Sequence, residues 1–260
     1  MSRKDNALGT VVGSSVRVHL LTQLGQSPHT VSQLEIGVDA TRRTVRRNLH
    51  RLESEGWIRQ SDDHYHVVSL ADGFVADLTE YLERAERIQN LLSLLDYLPE
   101  GSLGIPSDVL EQSETVIRRP SVPVGPLDKI IDAIRSATVV NTVVPSVTRS
   151  LVAAHETVLE REDEIEVVVG PSGLEGIQSS NLVEPSSACC HSLYAYDRPM
   201  EPIGIVRADD RTFVLIYDEY GTVHGLIINS HDEFREWGWE FYENHRTDAV
   251  PVDPSDVRTD

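Results

Sequence analysis

Arg42, Arg43, Arg46 and Arg47 fall within six residues, and His50 follows three positions later. A guanidinium carries a planar fork of donors that can grip phosphate oxygens, or the O6 and N7 of a guanine, two at a time. Carboxylates that would neutralise these groups from within the same helix, at i±4, are nearly absent. Only Asp39 is placed to reach Arg42 or Arg43. The chain carries 23 Lys and Arg against 42 Asp and Glu, a formal net charge of −19. Cations concentrated in one short stretch of so acidic a chain are expected to meet a polyanion from outside.

The elements that must position these arginines are legible around them. Val45, Leu49 and Leu52 recur at i, i+4 and i+7, one stripe of a helix over 41–55. At about 100° per residue, Arg43, Arg47 and His50 point away from that stripe, with Arg46 and Arg51 on its flanks. Upstream, 30–36 reads as a short amphipathic helix with Thr30 as its cap and Val31, Leu34 and Ile36 inward. Gly37-Val38-Asp39 reads as a tight turn in which Gly37 supplies unusual backbone angles. Before it, 11–24 reads as one helix, with Val12, Val16, Leu20 and Leu24 at steps of four. Downstream, 57–59 and 65–70 read as two strands around an Asp62-Asp63 turn. Two helices joined by a turn, the second one basic, followed by a hairpin, make a winged helix-turn-helix.

The charge is divided along the chain. Residues 1–75 hold nine basic and eight acidic residues, a net of +1. The remainder holds 14 and 34, a net of −20. Acid therefore repels a nucleic acid everywhere except at the N-terminal module. Lysine is almost missing, with only Lys4 and Lys129, and such a composition resembles the proteins of salt-accumulating archaea. No apolar run approaches the roughly 18–20 residues that cross a bilayer, and no signal peptide is visible. The two cysteines are adjacent and frame no disulfide network. The expectation is a cytoplasmic protein with no membrane partner.

Between the module and the acidic half, Phe74, Leu78, Tyr81, Ala85, Ile88, Leu92 and Leu95 alternate in steps of four and three. That is a heptad run, stopped by Pro99 and Gly101. It predicts a connecting helix that pairs with its own copy through Leu78, Tyr81, Ala85, Ile88, Leu92 and Leu95. Residues 103–126 are rich in Ser, Pro and Gly and read as ordered but irregular. From 127 the pattern alternates: helix 127–137, strand 138–144, a helix from Pro145-Ser146 to about 160, and strand 164–169. Strand–helix–strand with apolar β-branched strands is a parallel unit. After a polar loop over 170–185 come short strands near 190–196 and 203–207. A hairpin of 213–217 and 223–228 and a final helix over 231–245 complete a mixed α/β domain.

The local pattern T-x-x-T-V-R-R-N-L-x-x-L-E-x-x-G-W-I, from Thr41 to Ile58, resembles the recognition helix and first wing strand of archaeal winged-helix transcription regulators. In the second half VVNTVVPSV, EIEVVVG, IGIVRADDRTFVLIYDEYGTVHGLIIN and EWGWEFYENHR look like the effector domain of archaeal regulators typified by the methanogenesis and filamentation regulators. More distantly the chain is similar to TrmB-like regulators, which bind sugars in a phospholipase-D-like domain. No His-x-Lys stands at an equivalent place here, so the resemblance implies no such catalysis.

Other chemistry is thin. Nucleophile-elbow, P-loop, dinucleotide and His-Glu-x-x-His motifs are absent. His64-x-His66 puts two histidines on one strand face, too few for a metal site without a third ligand. Cys189-Cys190-His191 could sense redox state, but in a strand its neighbours face opposite ways. Asn141, Pro145, Ser146 and Arg149 lie at a strand–helix junction, where α/β sheets favour ligands, with Tyr194 and Tyr196 nearby. The sequence therefore predicts a winged helix-turn-helix over 1–72, a connecting helix over 73–98 and a mixed α/β effector domain over 99–260. It predicts a dimer on double-stranded DNA through Thr41, Arg42, Arg43, Thr44, Arg46, Arg47 and His50. A small-molecule effector is expected, and no metal, cofactor or catalytic residue. The alternative is an α/β enzyme carrying an appended winged helix.

Overall fold

The computed structural model describes residues 9–99, 101–159, 164–179 and 192–252. The chain divides into two compact units, Met1–Ala85 and Glu86–Asp260.

In the first unit the expected opening helix is broken. Residues 9–12 are helical, Gly13 turns, and Ser14 is extended (φ −154°, ψ 120°) ahead of α1, Ser15–Gln26. The Gly13 amide bonds back to the Gly9 carbonyl at 3.1 Å, and a side chain at Gly13 would run into that same oxygen. The break rotates the stripe: Val11 is buried and Val12 is 47% exposed, while Leu20, Leu21 and Leu24 are core. After β1 (His29–Thr30), α2 (Val31–Gly37) starts in a capping box. The Gln33 side chain accepts from the Thr30 amide at 2.8 Å, and Thr30 Oγ1 accepts from the Gln33 amide at 3.4 Å.

Two expectations for α2 fail. Leu34 is fully buried but Ile36 is 88% exposed. Ile36 lies five residues beyond Val31 and two beyond Leu34, about 140° and 200° around the helix, so it cannot share their face. Gly37 ends α2 without a positive φ. Its use is close approach instead, since a side chain there would collide with Gln23, whose Nε2 donates to the Gly37 carbonyl at 3.0 Å.

The third helix, α3 (Arg42–Ser54), buries Val45, Asn48, Leu49 and Leu52. Gly56, at φ +82°, turns the chain into β2 (Ile58–Ser61), which pairs antiparallel with β3 (His64–Val67). The two-residue connection has both φ angles positive, 48° at Asp62 and 64° at Asp63. That is a type I′ turn, whose twist suits a hairpin and which aspartate tolerates better than most residues. The small sheet runs β1-β3-β2. A long helix, α4 (Asp72–Leu95), gives Phe74, Val75 and Leu78 to this core.

The second unit is built on one eight-stranded sheet. Its elements are α5 (Ser107–Glu111), β4 (Glu114–Ile117), α6 (Gly125–Ser136), β5 (Val139–Val144), α7 (Arg149–Leu159), β6 (Glu164–Val169) and α8 (Pro171–Ser179). They continue with β7 (Ser192–Ala195), β8 (Ile203–Ala208), β9 (Arg211–Tyr217), β10 (Val223–Asn229), α9 (Asp232–Asp248) and β11 (Val250–Val252). Strand order is β11-β7-β6-β5-β8-β9-β10-β4. The β5–β6 and β6–β7 pairs are parallel, as expected of the strand–helix–strand unit, and the remaining pairs are antiparallel.

Alternation along the strands feeds two cores. Val140 and Val144 of β5 face Ile130, Ile134, Leu151, Ala154, Val158 and Ile177 from α6, α7 and α8. Val143 faces the opposite layer, where Phe234 and Tyr242 of α9, Val109 of α5 and Leu91 and Leu94 of α4 pack. The expected polar loop over 170–185 is instead helical over Pro171–Ser179, because Leu174 and Ile177, three apart, find that first core. The helix expected from Pro145 begins at Arg149. Pro145 and Ser146 are loop, with Ser146 Oγ donating to the Gly221 carbonyl at 2.7 Å. The irregular stretch before the domain contributes α5 and the edge strand β4. Among the described residues no helix is long and apolar enough to cross a membrane.

Candidate nucleic-acid interface

Thr41 caps α3, its Oγ1 accepting from the Thr44 amide at 3.3 Å, and the two hydroxyls share a 2.9 Å bond. From that fixed start Arg43, Arg47 and His50 come out exposed on one face, with no hydrogen bond or ion pair among the described residues. Thr44 is half-buried beside them. Arg42 and Arg46 differ. Glu35 of α2 receives both, Arg42 Nε at 2.7 Å and Arg46 Nε at 3.3 Å. Their paired contacts hold the Glu35 carboxyl below its ordinary range. Glu35 thus serves two of the four arginines from outside the i±4 positions, where acids are nearly absent as expected. Helix-periodicity rules look along one helix, and Glu35 comes from the neighbouring one.

The underside of α3 rests on a residue the sequence did not single out. Arg17 of α1 is only 9% exposed. Its Nη1 donates to Asn48 Oδ1 at 3.1 Å and its Nε to the Thr10 carbonyl, while Asn48 Nδ2 donates to the Thr44 carbonyl at 2.8 Å. Burial, then Arg51, lowers the Arg17 pKa. The one available signal was a charged residue beside the apolar stripe of α1.

In the hairpin, Arg59 lies opposite His66 and Ser61 opposite His64. Tyr65 and Val67 face the core, so these four face outward. The tip carries two carboxylates and no cation. Among the described residues no group of three or more His, Cys, Asp or Glu is placed to hold a metal ion.

The heptad residues of α4 are unevenly covered. Leu78 packs on the first core; Ile88 and Leu95 are half-buried; Tyr81 is 75% exposed, Leu92 56%, and Ala85 is exposed.

The six expected ligand residues are not gathered into one place. Asn141 Oδ1 accepts from Arg207 Nη1 at 2.9 Å on the α9 side of the sheet. Tyr194 lies under the Arg246 guanidinium, and Tyr196 beside His245 (ring centroids 5.0 Å apart) and Arg198. Pro145, Ser146 and Arg149 sit at the carboxyl edge of β5, where the Ser146 carbonyl accepts weakly from the Tyr217 hydroxyl at 3.5 Å. Among the described residues, cavities of about 340 Å³ and about 430 Å³ lie around Lys129, Asp132, Asp210 and Arg211 and around Leu92, Leu95, Leu98 and Leu103. Cys189, Cys190 and His191 fall outside the described residues. His155 of α7 is buried, its Nδ1–H donating to the Leu151 carbonyl at 2.8 Å and its Nε2 accepting from Thr142 Oγ1 at 2.9 Å. With both nitrogens used inside the core, it is a packing residue.

An exposed basic helix on a small helix–hairpin unit, followed by a three-layer α/β unit, defines a two-part class of protein. Residues 123–248 match the family model for the middle domain of the methanogenesis regulatory protein FilR1. Residues 5–90 match the family model for the HVO_A0261 N-terminal domain. The α/β unit is thus similar to the FilR1 middle domain, and the N-terminal unit to the HVO_A0261 N-terminal domain. No curated protein matches it. Among solved structures, TrmBL2, an archaeal chromatin protein, superposes with a TM-score of 0.41 at 15% identity, over 91% of this chain and 93% of that one. Nuc, a phospholipase D family member from Salmonella typhimurium, superposes with a TM-score of 0.44 at 13% identity, over 54% of this chain and 99% of that one.

Proposed function

We propose that this chain is a sequence-specific, DNA-binding transcription regulator that acts as a dimer and answers to a small ligand. Three functional parts follow the sequence: a winged helix-turn-helix reader over 1–72, a connecting helix over 73–98 and an effector domain over 99–260. The observation that carries the reading is the set Arg43, Arg47 and His50, exposed on one face of a capped helix with no partner among the described residues. Such a face can enter the major groove, where arginine reads guanine bidentately. Thr41 and Thr44 at the helix start contribute the amino-terminal end that approaches the groove. The acidic remainder confines DNA to this module and suits a halophile's salt-rich cytoplasm.

Dimerisation is supported by the uncovered residues of α4. Tyr81, Ala85 and Leu92 form an apolar stripe with Leu78, Ile88 and Leu95 that a second copy would bury. For the effector, the carboxyl edge of β5 at Pro145, Ser146 and Arg149 is the favoured approach. Asn141, Tyr194 and Tyr196 are already engaged in internal contacts and would have to exchange them.

The test is selection of duplexes from a random-sequence pool by the full chain and by Arg43→Ala/Arg47→Ala. Enrichment of a shared motif by the first and none by the second is expected. Equal enrichment by both would remove the groove assignment. Sedimentation of Tyr81→Asp/Leu92→Asp beside the unaltered chain tests the seam, and an unchanged mass would exclude it.

A further inference from the structure

Every flank arginine of α3 is tied to a carboxylate, and the outward pair is not. Arg42 and Arg46 share Glu35, and Arg51 meets Glu55 at 3.1 Å. Arg43 and Arg47 have no partner among the described residues. On a helix of about 100° per residue, Arg42 and Arg46 stand roughly 60° and 100° from the buried Val45, on the side where α2 packs. Arg43, Arg47 and His50 stand about 140–160° from it, on the side a groove would meet.

Glu35 itself is held firmly. Its side chain is 13% exposed, on a seven-residue helix fastened at its start by the Thr30–Gln33 capping box and at its end by Gln23 on the Gly37 carbonyl. Both carboxylate oxygens are used, Oε2 by Arg42 and Oε1 by Arg46. Flank positions on a recognition helix are those that face the sugar–phosphate walls of the groove, while outward positions face base edges.

We propose that Glu35 is a specificity-determining residue: it holds Arg42 and Arg46 against α2 and away from DNA phosphates, leaving recognition to Arg43, Arg47 and His50. The inference rests on the DNA-reading assignment above and deepens it. It departs from the sequence expectation in which all four arginines serve the interface. Contacts to phosphate add affinity without sequence information, and that affinity falls steeply with salt. A carboxylate that neutralises the flank lowers binding to random DNA while sparing the base contacts. The Asp62-Asp63 wing tip has the same sign and the same consequence.

The experiment uses the full chain, a duplex enriched from a random-sequence pool by the unaltered protein, and the unselected pool as competitor, each titrated across a salt series. Glu35→Gln keeps the size of the side chain and removes its charge. Its affinity for the unselected pool is expected to rise, and the slope of log K against log salt to steepen by about 0.9 for one freed phosphate contact and roughly 1.8 for two. The ratio of selected to unselected binding is expected to fall. Arg42→Ala/Arg46→Ala, compared in the same way, is expected to leave the slope and the unselected affinity nearly unchanged. An unaltered slope and ratio in Glu35→Gln, or a slope shallower by roughly 1.8 in the double alanine, would overturn the proposal. Arg43→Ala/Arg47→Ala separates the two levels. If that variant keeps its selectivity, the reading face is misassigned. If it loses selectivity while Glu35→Gln changes nothing, Glu35 alone is misassigned.

Discussion

The two units differ in what they leave for some of their arginines. In the second, Arg118, Arg198 and Arg235 are paired with Asp218, Asp248 and Asp232 at 2.8, 2.6 and 3.3 Å. Arg207 lies over Trp239 and bonds Asn141, and Arg246 lies over Tyr194. Each of those guanidinia is engaged within its own unit. In the first unit Arg17 is likewise engaged, but among the described residues Arg43 and Arg47 have no partner, in a region whose net charge is near zero. An unpaired cation on a folded surface contributes little to stability, since even exposed ion pairs contribute about 0–1 kcal/mol. Its worth lies in what it meets. If the proposed DNA-reading face is right, pairing separates arginines held within the fold from arginines left to recognise.

Four measurements would break or sharpen that contrast. The largest effect is expected from Arg43→Lys/Arg47→Lys, which keeps the charge and removes the planar fork. Each lost bidentate contact should cost about 1–3 kcal/mol of discrimination, with affinity for random DNA nearly retained. Competition binding reads it directly, and retained selectivity would mean that charge alone acts there.

The next effect lies in the second unit. Burial lowers the His155 pKa to about 4 from an ordinary 6.5. As pH falls the unfolded imidazole takes its proton first. The stability from keeping His155 neutral is therefore complete above pH 6.5, declines between 6.5 and 4, and levels off below. The difference amounts to about 3 kcal/mol. Denaturant unfolding across that range should show the decline, and His155→Gln should flatten it; equal slopes for the two proteins would put the acid sensitivity elsewhere.

Asn48→Ala should cost about 1–3 kcal/mol by leaving the buried Arg17 guanidinium short of an acceptor. Because Arg17 and Asn48 join α1 to α3, operator affinity should fall with stability, and a neutral result in thermal melts would reduce Arg17 to a bystander. The smallest change is Asp63→Gly at the positive-φ turn, expected to stabilise the hairpin by about 1 kcal/mol. A loss of stability there would show that the Asp63 carboxylate holds the turn.

Long stripes and β-branched strands were readable because each reports a single element's own period. Val45, Leu49 and Leu52 give α3, and the alternating strands of the α/β unit, parallel β5 and β6 included, follow from local pattern. Ile36 was misread because a seven-residue helix is too short for its stripe to be defined by spacing alone. The 170–185 stretch was misread because its helix depends on a core that only the folded sheet provides.

By itself the sequence determined where charge accumulates, the cap that starts α2, the buried stripe of α3, and that a basic helix precedes an acidic α/β half. Those properties follow from local spacing and from composition. Only the tertiary structure decided which arginines are free. Glu35 stands seven and eleven residues before Arg42 and Arg46, and Arg17 stands 31 before Asn48, distances along the chain that no helical period connects. It also decided that Asn141 and Ser146, five residues apart, serve different contacts, with Arg207 and with Gly221. A partner is a matter of which elements pack side by side, and packing is a property of the whole core.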